Sequence, residues 1–250
     1  MHAVAHVMEM QGRHEEGGAW MLRCRPEWSA GNGFSVHLGW HQALFALERL
    51  DSNAALALFD EHMAAAKTQV TLERVDTASL LWRLQLLGVD VGPRWRELVA
   101  VWNPEAASAG HYAFNDLHVL LALLGAEELE RAGAWLNTVA ARAEAAEGAN
   151  REMTRDVGLP LMRGMLAFAS GRHDEAIRLM HPVRALVHRF GGSHAQRDLI
   201  DWTLLAASTR SADRSIGRAL LNERALMKAR TPLTEHWAER IADTRRRASA

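Results

Sequence analysis

A break that recurs along the chain constrains its fold more than any other feature. "GRHEEG" at 12–17 returns almost unchanged as "GRHDEA" at 171–176. "LDSNAAL" (50–56), "LGVDVGPRW" (87–95), "LGAEELERA" (124–132) and "SADRSIGRA" (211–219) hold equivalent places. These breaks fall roughly 37–45 residues apart, the spacing of stacked helix pairs. Between them, apolar residues recur at intervals of three and four. Val36, Trp40, Ala43, Leu44 and Leu47 make one stripe, and Leu56, Phe59 and Met63 make the next. Alternating β-branched runs are nearly absent, and the good helix formers Ala, Leu, Arg, Glu and Met dominate. The pattern predicts an all-α chain of about six stacked hairpins, at about 1–24, 33–66, 74–102, 111–146, 151–189 and 193–228. A last helix around 234–247 is expected to cap the stack.

Punctuation residues support this division. Ser193 and Gln196 form a capping-box pattern after Gly191 and Gly192, and Pro160 lies near a helix start. "EAAEGANRE" at 144–152 is the best candidate for a joint, near 145–151, within what otherwise reads as a single repeat domain over 1–250. In such an array each hairpin buries its stripes on its neighbours. The first helix has no preceding hairpin, so two expectations follow. Either the N-terminal hairpin pairs with a second copy as a homodimer, or the sequence is the tail of a longer protein.

The bulk numbers exclude several classes. A net charge of -1 argues against a nucleic-acid partner or an anionic membrane surface. No run approaches ~18 continuous apolar residues, so no membrane span is expected. One cysteine, Cys24, and the lack of a signal-peptide pattern suggest a cytoplasmic protein. No G-x-x-x-x-G-K-[ST], G-x-G-x-x-G or G-x-S-x-G pattern occurs, so nucleotide binding and a serine nucleophile have no support.

The stretches "HAVAHVMEMQGRHEEG", "RPEWSAGN", "HLGWHQALFALE", "FNDLHVLLAL", "GGSHAQRDL" and "LLNERALMKARTPLT", in this order, resemble the tetratricopeptide repeat protein 38 family. The likeness covers nearly the whole chain. It implies a tetratricopeptide-like, right-handed α-helical solenoid, with this chain as the C-terminal half of a longer architecture. It implies no catalytic residues.

The chemistry lies in 13 histidines and their placement. Positions i, i+4 and i+7 share a helix face. The first helix of hairpin one carries His2, His6 and Glu9, and hairpin two carries His37, His41 and Glu48. Hairpin four has His111, Asn115 and His118 beside Asp116, and hairpin six has His194, Asp198 and Asp201 near Arg197. The third and fifth hairpins offer Asp76, Ser79 and Arg83, then Asp156 and Arg163. If first helices line a concave surface, these stripes form one polar groove. The expected function is then an interaction or scaffold module binding a peptide or protein partner, with His2, His6, Glu9, His37, His41, His111, Asp116, His118, His194, Arg197 and Asp198 as contacts.

The competing expectation is a metal-dependent, hydrolase-like enzyme. Imidazoles at i, i+4 can share a divalent ion, with His6, His37, His41, Asp116 and His118 as candidate ligands. Neither histidine pair belongs to an H-E-x-x-H motif. A third expectation is a structural half of a larger or dimeric assembly. Convergence of the imidazoles on one point favours the metal centre, and their spread along a surface favours the groove.

Two further stretches have plain structural readings. In "RPEWSAGNGF" (25–34), Trp28 is expected to plug a gap between hairpins, with Gly31 and Gly33 supplying turns. "GGSHAQRDL" could present backbone N–H groups and Arg197 to an anion, but reads more simply as a C-cap followed by an N-cap. Trp20, Trp40, Trp82, Trp95, Trp135 and Trp202 read as core, and the basic end of 240–250 as a solvated tail.

Overall fold

The computed structural model describes residues 1–30, 34–104, 109–145, 147–228 and 231–243, and among them there is no strand. The helices come in antiparallel pairs. The first pair is α1 (His2–Met10) with α2 (His14–Arg23), followed by the short α3 (Arg25–Trp28). Then α4 (Ser35–Glu48) pairs with α5 (Ser52–Leu58), which runs into a π-helical turn at Phe59–Met63. Next come α6 (Thr71–Leu86) with α7 (Arg94–Trp102), and α8 (Ala113–Gly125) with α9 (Leu129–Ala145). A composite helix follows: α10 (Ala149–Met153), a π-helical turn (Thr154–Gly158) and α11 (Leu159–Ala169). It pairs with α12 (His173–Met180) and its 3-10 extension His181–Arg189. The last pair is α13 (His194–Ser208) with α14 (Ser215–Met227), covered by α15 (Pro232–Ala242). These six pairs fall on the six stretches expected from the breaks, with α6 and α10 starting slightly earlier, and the stretch 145–151 spans the end of α9 and the start of α10.

Five of the six breaks share one backbone solution, the exception being 211–219. Gly12, Leu50, Gly88, Glu127 and Gly171 all have positive φ, between 59° and 84°. In each, the next residue's N–H reaches back five positions: Arg13 to Met8, Asp51 to Ala46, Val89 to Leu84, Glu128 to Leu123, and Arg172 to Ala167. This is the 6→1 bond of a Schellman turn, which satisfies carbonyls that the helix end leaves open. Glycine fits this φ without strain at three of the five sites. Leu50 and Glu127 adopt it because the flanking helix pairs hold them there.

The first helices α4, α6, α8 and α13 are buried along most of their length, whereas their partners α5, α7, α9 and α14 bury fewer residues. α6 is central: it packs against α4 on one side, α8 on the other, and α13 across the middle. Trp82 Nε1 donates to Thr203 Oγ1 at 2.9 Å, and Arg83 Nη2 donates to the Ala195 carbonyl at 2.7 Å. α13 reaches back to α1, and α15 to α4. The first and last pairs therefore meet. The inner faces are interior rather than an open groove. His41, Asp76, Arg83, Asp116 and His118 are all buried.

One apolar core runs from α4 through α15, and a smaller one (Ala5, Met8, Met21, Trp28, Leu38, Phe45) lies beneath α1–α3. Trp28 is fully buried and donates to the Met21 carbonyl at 2.9 Å, so it is the plug that the sequence suggests. Gly31 and Gly33 lie outside the described residues, as do residues 244–250 of the basic tail. Trp40, Trp82, Trp95, Trp135 and Trp202 are core residues, and Trp20 is half-buried. Among the described residues, no helix is long and apolar enough to cross a membrane.

Candidate metal centre

Four imidazoles converge where α1 lies against α4. His2 and His6 project from one face of α1, and His37 and His41 from one face of α4, each pair one helical turn apart. Each ring offers a nitrogen, and these four nitrogens all lie within 4.8 Å of one another. His2 Nε2 sits 2.9 Å from His37 Nε2 and 2.9 Å from His6 Nε2.

A ring nitrogen has a single in-plane direction, which holds either a hydrogen or a lone pair. His2 Nε2 therefore cannot accept from one neighbour while donating to the other. Two close neighbours on one nitrogen make a poor hydrogen-bond network. They suit a shared cation, to which every nitrogen turns its lone pair. Tetrahedral coordination with zinc–nitrogen bonds of 2.0–2.1 Å spaces ligands by about 3.3 Å, a spacing that lies between the 2.9 Å contacts and the 4.8 Å limit of the set.

His41 is fully buried, and among the described residues neither of its ring nitrogens has a hydrogen-bond partner. Leaving a buried donor and a buried acceptor unmet costs about 1–3 kcal/mol each. A core histidine kept for packing alone has no need of that arrangement. Burial, then the charges of the neighbouring histidines, hold His41 well below its ordinary value. Burial, then the neighbouring charge of His37 or His2, lowers His2 and His6 in the same way. Depressed values keep the rings neutral near pH 7, the form that binds metals.

The groups behind these histidines are equally specific. His37 Nδ1 is 2.7 Å from Asp76 Oδ2, inside the protein. The other oxygen of Asp76 accepts from Gln196 Nε2 at 3.1 Å. Gln196 is held in turn by the capping box of α13: its Oε1 accepts from Ser193 N at 2.8 Å, and its own N–H donates to Ser193 Oγ. This chain places the hydrogen of His37 on Nδ1 and points the Nε2 lone pair at the cluster, the carboxylate–histidine arrangement common around metal ligands. The Trp40 ring stacks on His37 at 5.4 Å, and Phe34 covers the solvent side, 5.4 Å from His2. His2 and His6 are half-buried, which leaves one side open to small molecules.

A second cluster lies one turn further along α1. The carboxylates of Glu9, Glu48 and Asp198 lie within 4.8 Å of one another. Their cation is already present. Lys228 Nζ binds Glu9 and stands 3.5 Å from Glu48 and 3.7 Å from Asp198. Arg224 adds a 2.5 Å bond to Glu48 and lies 3.6 Å from Asp198. Burial alone would raise Asp198, but Lys228, Arg224 and Arg83 hold it far below the usual carboxylate range. His194 Nδ1 lies 4.0 Å from Glu9, whose carboxylate raises the imidazole above its ordinary value. This is a paired ionic core rather than a metal site.

The remaining candidates part company. Asp116 and His118 are two residues apart on α8, about 200° around the axis, and cannot face one ion. Asp116 accepts from Gly110 N with both oxygens at 3.1 Å, and burial lifts it to about 7. His118 donates from Nδ1 to the Phe114 carbonyl at 2.7 Å, and burial lowers it to about 4. Neither belongs to the histidine cluster, so the ligand set expected from sequence loses Asp116 and His118 and gains His2. His111 is exposed ahead of α8. Arg197 donates to the Gly191 and Gly192 carbonyls, so "GGSHAQRDL" is a C-cap followed by an N-cap rather than an anion cradle.

The sequence reading missed Lys228 and Arg224, which lie four apart on α14, a second helix that points its basic face inward. It placed Asp76 in a weak stripe without its partner His37. Their spacing was the only available signal. No family model matches the chain, and no solved structure matches it.

Proposed function

We propose that this protein is a metalloprotein holding one divalent late transition ion between α1 and α4, with His2, His6, His37 and His41 as ligands. The observation that carries this reading is the meeting of three Nε2 atoms at 2.9 Å beside a fully buried histidine with both nitrogens unpartnered among the described residues. An all-imidazole set without thiolate suits zinc, copper, nickel or iron(II), and neither calcium nor magnesium. Neutral ligands leave the ion its full charge. With His2, His6, His37 and His41 holding it, such an ion would supply Lewis acidity to a water or a carbonyl oxygen only by taking a fifth ligand from the His2–His6 side. That is the metal-dependent, hydrolase-like reading, set on what we take to be a tetratricopeptide-like stack.

The test is to strip the purified protein with chelator and titrate zinc by calorimetry, with cobalt(II) as a spectroscopic reporter. The expected result is a single equivalent bound, lost in His41→Leu and in His37→Leu. No binding, or binding that both variants retain, would end the proposal.

A second reading, a docking module, has its own support. The outer face of α1 shows Val4 (40% exposed), Val7 (50%) and Met10 (43%) with no charge among them. A partner, or a second copy of this chain, would then sit on the outside of the first pair, not along the inner stripes. Light scattering of the pure protein tests the homodimer directly.

A further inference from the structure

The histidine cluster and the ionic core share one element, and this points to a regulated device. α1 contributes His2 and His6 to the first and Glu9 to the second. It seats against α4 and α13 at the seam where the first and last pairs meet. Its apolar hold is slight: only Ala5 and Met8 enter the small core, while Met1, Val4, Val7 and Met10 face outward. Its polar contacts across the seam include His2 with His37 of α4, and Glu9 with Lys228 and His194.

We infer that the ion is the clasp between the first and last pairs: its binding seats α1, and its loss releases α1 from the seam. This rests on the metal reading above. Without an ion, His2 Nε2 can give its hydrogen to only one of its two neighbours at 2.9 Å, so the hold of α1 on α4 is weak. With one, the same nitrogens bind a common centre and draw the helices together. When α1 lifts, Glu9 leaves Lys228. Lys228 is then left to Glu48 and Asp198 alone.

Linkage sets the size of the effect. If opening α1 releases the ion, its opening equilibrium falls by a factor of 1 + [metal]/Kd, about a hundredfold at one hundred times Kd. Hydrogen exchange of the full chain, chelator-treated and then with zinc at that ratio, reads this directly. The expected result is exchange about a hundredfold slower over residues 5–11, with little change in α8 or α9. The double variant His2→Ala/His6→Ala should exchange quickly in both conditions. If calorimetry shows zinc bound while α1 exchanges equally with and without it, the clasp is wrong and the metal centre stands. If zinc does not bind at all, both proposals fail together.

Discussion

Replacing His41 with leucine separates a metal ligand from a core histidine, because the two roles predict opposite changes in stability. His41 is fully buried, and both its nitrogens lack partners among the described residues. Each unmet polar atom costs about 1–3 kcal/mol, and leucine fills a similar volume without either one. Allowing for imperfect fit, His41→Leu should stabilise the metal-free protein by about 2 kcal/mol, or about 4–8 °C in Tm for a chain of this size. In the wild type, zinc at a thousand times Kd should add about 4 kcal/mol by mass action, and in the variant nothing. Differential scanning calorimetry on chelator-treated and zinc-loaded samples of both proteins gives all four values. The reasoning is refuted if the variant is less stable without metal and still gains from zinc. His41 would then be a packing residue whose nitrogens are met by water.

Other outcomes follow from the same contacts. Asp76→Asn removes the charge that orients His37 and should weaken zinc binding about 10–100-fold in a competition titration, with the fold intact by circular dichroism. Lys228→Met leaves Glu9, Glu48 and Asp198 buried beside Arg224 and should cost about 3–5 kcal/mol in urea unfolding at pH 8. Asp116 has a folded value raised to about 7, so its contribution is complete below its unfolded value and is lost as pH rises through about 7. The wild type should therefore lose up to about 4 kcal/mol relative to Asp116→Asn between pH 4 and pH 8, measured as the difference in urea midpoints. Parallel pH profiles would show that burial does not raise Asp116.

Helix pairs and their ends were legible because they are local. The break motif encodes a left-handed turn at Gly12, Gly88 and Gly171, and the periodicity between breaks gives each helix its inward face. The site was legible only in part. Spacing placed His2 with His6 and His37 with His41, since i, i+4 geometry needs no tertiary knowledge. It could not show that α13 packs on α6, because Gln196–Asp76 and Trp82–Thr203 bridge 120 and 121 residues. That crossing turns an apparent groove into an interior and sends His118 to the core. The ionic core was hidden for a related reason. Glu48 and Arg224 are 176 residues apart, and neither carries a signal in its own helix that names the other.

The closed seam orders events during synthesis. His2 and His37 are 35 residues apart and can meet once the second hairpin has left the ribosome, while Glu9 must wait for Lys228, 219 residues on. Short-range contacts form sooner than distant ones. An ion captured by the nascent first two hairpins would hold the leading helix in position long before the final pair arrives to lock it.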